Sequence, residues 1–121
     1  HGLVIPWTVT TLLAENGYQD AYRTLYPDPV KYPGYTYPAD CKNIDINKLL
    51  WAPEADERER VDYIFYYPAK GLTLSDVALY GPNGCIRKGQ RVPENSLDNF
   101  IAPIGVWPTD HKGVIAEFQI Q

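Results

Sequence analysis

Between Pro27 and Glu59 the chain keeps neither a helical nor a strand period, and Pro27, Pro29, Pro33, Pro38 and Pro53 fall among tyrosines throughout the stretch. Each proline removes a backbone donor and fixes φ, so neither a helix interior nor a central strand can run through it. A loop of that length inside a compact domain is usually functional or mobile. Regular structure is thereby confined to the two flanks. On the N-terminal side Val9, Leu12, Leu13 and Asn16 follow helical spacing, with Thr8 as a candidate cap and Asn16-Gly17 as a left-handed exit, which predicts a helix over 8–16. Asp20 can cap a second, shorter helix that reaches Leu25 and ends at Pro27. On the C-terminal side strands are expected over 61–67, 72–80 and 113–120. In the second, apolar residues stand at Leu72 and Leu74 and then at Val77 and Leu79, a slip of one that predicts a bulge near Asp76. The last strand alternates Val114, Ala116, Phe118 and Ile120 with Glu117 and Gln119, as a half-buried strand towards a sheet edge does.

Two short segments carry the chemistry. Trp107-Pro108-Thr109-Asp110-His111-Lys112 sets an acid and a histidine side by side at the mouth of the last strand. Arg60-Val61-Asp62-Tyr63-Ile64-Phe65 places one carboxylate in an otherwise apolar strand that reads as buried on both faces. An ionised aspartate is rarely buried without a partner. Histidine is the natural one, because a carboxylate on one ring nitrogen fixes the tautomer and frees the other nitrogen for chemistry. Asp62 and His111 are therefore expected within hydrogen-bond reach, with Asp110 beside them. The bland alternatives are a strand-end carboxylate bonded to backbone amides or to Arg60, a capping Asp110 and a surface histidine. The acidic run Glu54, Asp56, Glu57 and Glu59 imitates a hard-metal cluster, but Arg58 and Arg60 interleave with it and a solvated mixed-charge loop is the simpler reading. His1, at a terminus, is assigned no role.

These segments resemble those of the endonuclease/exonuclease/phosphatase superfamily of metal-dependent phosphoesterases, to which deoxyribonuclease I belongs. An Arg-aliphatic-Asp-Tyr strand followed by a Thr-Asp-His motif that runs into the last strand stands here as Arg60 to Tyr63 and Thr109 to His111. Upstream, Gly17-Tyr18-Gln19-Asp20-Ala21-Tyr22-Arg23 is similar to the family's Gly-aromatic-x-Asp-x-aromatic-Arg element. Gly34-Tyr35-Thr36-Tyr37 is similar to its Gly-x-Thr-Trp segment, with Tyr in place of Trp. The resemblance implies an α+β fold: the C-terminal half of a four-layer α/β sandwich, mainly antiparallel sheet of about four strands with helices on one face. It also implies a strand ending in Gly-Asp-x-Asn, and an upstream Asn and Glu of the metal site, none of which occurs here. With no Met and a His1-Gly2 start, residues 1–121 read as one partial domain, inactive by itself.

What the resemblance implies for mechanism is attack of water on a phosphate ester with magnesium or manganese as cofactor. Asp62 would orient His111, His111 would donate to a phosphoryl oxygen or help to place the nucleophile, and Asp110 would face the metal as a direct or water-mediated ligand. Tyr35, Thr36 and Tyr37 are the candidate substrate-binding residues. Fold does not determine substrate. The formal charge of -4 lacks the basic face of a non-specific nucleic-acid binder, which ranks small phosphoesters and lipid head groups above DNA. The rival from another class is a non-catalytic module that holds a ligand or glycan through the Tyr/Pro-rich loop, with Tyr32, Tyr35 and Tyr37 as an aromatic wall.

Composition fits one globular core, with 45% apolar and 21% charged residues, and no apolar run approaches the roughly 20 residues of a membrane span. Cys41 and Cys85 either pair, which would need an oxidising compartment, or stay as two thiols. Their Gly/Pro-flanked, loop-like settings tilt the reading towards a secreted or periplasmic protein. Half of a sandwich exposes the face that should meet the other sheet, so a homo-oligomer, or pairing with the missing half, is expected.

Overall fold

The computed structural model describes residues 5–121, so His1 lies outside the described residues. Helix α1 (Thr8–Glu15) leads into strand β1 (Gln19–Asp20) and helix α2 (Ala21–Leu25). After the long excursion, which holds only a 3-10 turn at Ile46–Lys48, come β2 (Phe65–Tyr66), β3 (Leu72–Tyr80), β4 (Cys85–Arg87), β5 (Gln90–Val92), β6 (Phe100–Ile101) and β7 (Gly113–Ile120). The class is α+β, mostly strand with few helices. The main sheet has the order β6-β3-β7, and β1-β2 and β4-β5 form separate two-stranded ladders. Every pairing is antiparallel except β3 with β6. The expected sheet of about four strands is thus three strands wide. No helix among the described residues is long and apolar enough to cross a membrane.

Local chemistry explains where the elements stop. Asp20 caps α2, its Oδ1 accepting from the amides of Tyr22 (3.1 Å) and Arg23 (3.3 Å). Thr8 is instead the first helical residue of α1, and Trp7 holds the cap position with no side-chain acceptor. Asn16 closes that helix, its Nδ2 donating to the Leu12 carbonyl at 2.8 Å, before Gly17 turns left-handed at φ 84°. The slip in β3 is present as a register shift between Leu74 and Asp76. Lys88 and Gly89, at φ 50° and 71°, make the two-residue hairpin that joins β4 to β5.

Among the described residues two apolar clusters form the core. Ala21 and Tyr22 of α2 pack on Val77 and Leu79 of β3, with Phe100, Val114 and Ala116 around them. Ala39, Cys41, Leu49 and Ile86 form the second. Cys41 and Cys85 are both buried free thiols, and Cys85 opens a strand. Cys41 lies in the irregular excursion and Cys85 in a strand, but both are buried as thiols, so they give no argument for an oxidising compartment. On the opposite face of the sheet Ile101 and Ile115 are exposed, and α1 buries no residue at all.

Lys112 is an exception to the rule that buried charges are paired. It is 2% exposed, its Cγ lies where a Cβ on Gly81 would meet it at 3.1 Å, and its Nζ stands 4.4 Å over the Phe100 ring. Nζ has no hydrogen-bond partner among the described residues. Burial pushes the ammonium below its ordinary 10.5. Below the folded-state value the native protein carries the full penalty; it shrinks as pH rises towards 10.5 because the folded chain sheds the proton first. Lys112→Met keeps the stem and removes the charge, so it should raise stability by about 1 kcal/mol or more at neutral pH. Urea unfolding at pH 7 and near pH 10 checks this, with the gap from wild type narrowing at the higher pH. A variant less stable at pH 7 contradicts the account.

Candidate functional site

The site lies where three separate segments meet: 34–41 from the long excursion, 60–63 just before β2, and 107–112 leading into β7. Gly34 begins the first, and no other residue fits there. Its φ is 69°, and a Cβ would stand 2.6 Å from the Tyr22 ring. Its amide donates to Asp98 Oδ2 at 2.9 Å, which ties the segment to the α2 core. Further along, the Ala39 amide donates to the Asp110 carbonyl at 2.7 Å and Cys41 Sγ donates to the Thr109 carbonyl at 2.5 Å. Trp107 Nε1 donates to the His111 carbonyl at 2.8 Å, and the His111 amide donates to Thr109 Oγ1 at 3.2 Å. The Asp110-His111 turn is therefore held from both sides.

His111 Nδ1 and Asp62 Oδ2 are 2.8 Å apart. With the proton on Nδ1 the ring donates to the carboxylate, and Nε2 is the nitrogen left for a ligand. The two side chains are 42% and 39% exposed, so the pair is open to solvent on one side. Among the described residues Arg60–Ile64 forms no ladder; of the expected strand, Phe65 and Tyr66 pair, with Asp20 and Gln19. Asp62 is accordingly half-buried on an extended segment, not sunk in a two-sided strand, because no neighbouring strand among these residues covers 61–64. The pairing follows as expected, although burial was the wrong reason for it. Arg60 does not partner Asp62 either. It grips Asp20 with both terminal nitrogens and lies 4.5 Å from the centre of the Tyr63 ring.

Asp110 sits next to the pair in sequence, with Thr109 Oγ1 3.4 Å from its Oδ1. The candidate substrate-binding residues divide. Tyr37 packs its ring against His111 at 5.3 Å, and burial, followed by the nearby carboxylates of Glu57, Asp110 and Glu59, pushes its phenol upward. Tyr35 lies under the Arg58 guanidinium at 4.9 Å, while Tyr32 stacks on Tyr26 at 4.8 Å. The three tyrosines thus serve three different contacts and form no common wall. Thr36 is fully buried and faces backbone, not a cleft.

No protein-family model matches the chain, and no solved structure matches it. It is 32% identical over 120 residues to Uncharacterized protein F14F9.5 of Caenorhabditis elegans, an alignment that covers 95% of this chain and 32% of that protein. The chain spans about a third of the length of the curated relative it matches.

Among the described residues no three or more His, Cys, Asp or Glu side chains converge as a metal site. Two members of the acidic run are engaged in other bonds: Arg58 donates to Asp56 at 2.8 and 2.9 Å, and Glu57 Oε1 accepts from the Trp51 amide at 2.8 Å. Asp110 is one carboxylate at the site, which by itself leaves magnesium mostly hydrated. Trp107, Ala39 and Cys41, which fix the histidine turn, are given no role in the site by the sequence alone. Trp107 opens the same motif; the other two act through a backbone amide and a thiol that no side-chain pattern marks.

Proposed function

We propose that this chain belongs to a metal-dependent phosphoesterase that hydrolyses a phosphomonoester or phosphodiester, and that it is the C-terminal half of a deoxyribonuclease I-like sandwich. The Asp62–His111 contact at 2.8 Å carries the reading. A half-exposed carboxylate and imidazole, drawn from segments 49 residues apart, gain little stability from pairing in water but make an oriented proton donor. Asp62 holds the ring so that Nε2 faces the ester. Protonated His111 donates through Nε2 to a phosphoryl oxygen as negative charge builds there, and in its neutral form it positions the attacking water. Tyr37 packs on the ring and restricts its rotation.

Magnesium or manganese, when bound, supplies charge stabilisation on the phosphoryl oxygens. Among the described residues Asp110 is the ligand this reading places at the metal, and those residues do not complete a site. The rest of the ligand set then comes from sequence outside these 121 residues. An open trough of about 1100 Å³, lined by Ile5, Trp7, Val9, Val61, Tyr63 and Phe65 together with the charged Arg23, Arg58, Arg60 and Asp62, supports a missing neighbouring layer, as does the threefold greater length of the relative.

The full-length protein should hydrolyse a panel of phosphoesters with magnesium or manganese, lose activity in chelator and regain it on metal addition. Small phosphoesters and lipid head groups should outrank DNA, given the chain's charge of -4. Hydrolysis unaffected by chelator would remove the metal from the proposal. A protein inert on every phosphoester that binds a glycan or peptide would be a binding module instead.

A further inference from the structure

Among the described residues Thr36 bonds to both arms of the site. Its Oγ1 lies 3.2 Å from the Val61 amide and 3.2 Å from the Asp62 amide and accepts from them, while its carbonyl accepts from the Lys112 amide at 2.6 Å. Its own amide donates to the Glu59 carbonyl at 3.0 Å, and the residue is 0% exposed. We propose that Thr36 is a positioning residue that sets the distance between Asp62 and His111, and that it does not contact substrate. The assignment rests on the phosphoesterase reading for its functional consequence, though not for its geometry.

The physical need is specific. Segment 60–64 has no strand beside it among the described residues, so the amides that would enter a ladder must find another acceptor. One hydroxyl oxygen takes two of them and so fixes the backbone at Asp62. The same residue's carbonyl fixes the backbone one position beyond His111. The two side chains are joined by a single hydrogen bond between half-exposed groups, which is too weak to align its own partners. The scaffold must align them, and Thr36 is where the two backbone segments are referenced to each other. Valine copies the shape of threonine without the acceptor, whereas serine keeps it.

The test uses the full-length protein labelled with ¹⁵N-histidine, in wild type, Thr36→Val, Thr36→Ser and Val77→Ala. Val77 lies in the α2 cluster and serves as a control for lost stability. The readout is the His111 Nδ1–H proton, visible when its bond to Asp62 slows exchange, together with kcat and KM. T36V should lose that signal and lower kcat by about 10- to 100-fold with KM little changed, because misplacing a catalytic group by an ångström costs that much. T36S should retain the signal and remain within about threefold of wild-type kcat, as a preserved acceptor requires. V77A should keep the signal despite a lower melting temperature.

A T36V protein with the signal intact overturns the assignment, as does a V77A protein that loses it. A T36S protein that behaves like T36V does the same. If T36V does not fold, amide exchange in the wild type decides: protected Val61 and Asp62 amides sustain the role and fast exchange at both removes it. Should the wild type hydrolyse no phosphoester, the phosphoesterase reading falls, and the Nδ1–H signal still decides whether Thr36 aligns the pair.

Discussion

Replacing His111 with alanine in the full-length protein is expected to cut phosphoester hydrolysis by about 100-fold or more, the usual cost of removing a general acid or an electrostatic donor to the reacting oxygens. Folding should be nearly unaffected. The side chain is 42% exposed, its partner Asp62 remains solvated when left alone, and the turn is held through main-chain atoms that alanine keeps. Asp62→Asn should act through His111: the amide still reaches Nδ1, but it offers no negative charge and can turn its NH₂ group towards the ring, which favours the other tautomer. Its loss should approach that of H111A, and the double variant should be little worse than either single one, since the two act as a unit. Rates at saturating substrate, set beside thermal melts, check each statement. Additive losses in the double variant would mean that Asp62 and His111 work separately, and the oriented pair would no longer describe the site.

How much could be read from the residues differs from element to element. The slip in β3 and the span of β7 were legible because each strand packs one face on a core, and that burial writes alternation into the sequence. Asp20 as a cap was legible because capping is local chemistry. The hairpin of β4 and β5 was not, as strands of three residues are too short to show a period, and β6 is shorter still. Residues 61–64 read as a strand because their composition suits one. Strand formation is decided by a neighbour, and among these residues none is there. In the site, Asp62 and His111 were legible from residue type. Thr36 was named for the wrong partner: its position in the Gly34-to-Tyr37 segment marked it, but nothing in that segment says that its oxygen faces two amides some 25 residues on.

The largest loss of stability should come from Asp98→Ala, a residue outside the site that the sequence did not single out. Asp98 is 9% exposed and gathers three donors: the Tyr22 hydroxyl, the Gly34 amide at 2.9 Å and Ser96 Oγ at 2.8 Å. It thereby joins α2 and the start of the site segment to the loop before β6. Alanine removes bonds to a charged acceptor and leaves the Tyr22 hydroxyl and the Gly34 amide buried without partners, so the cost should be about 3 to 5 kcal/mol. That is a large part of the stability of an ordinary domain. Asp98→Asn keeps the shape and an acceptor and should cost clearly less. Tyr22 supplies an independent check through pH. Burial first, and then the bond to Asp98, push its phenol well above the ordinary 10.0. Above that value the unfolded chain ionises Tyr22 while the folded chain keeps it neutral, so this contribution is complete below pH 10.0 and declines as pH rises beyond it. Tyr22→Phe should flatten that part of the alkaline decline, and D98A should weaken it. Denaturant unfolding at pH 7 and at a series of alkaline pH values measures both effects, and a D98A protein within about 1 kcal/mol of wild type, the size of one ordinary hydrogen bond, would show that the three donors find other acceptors.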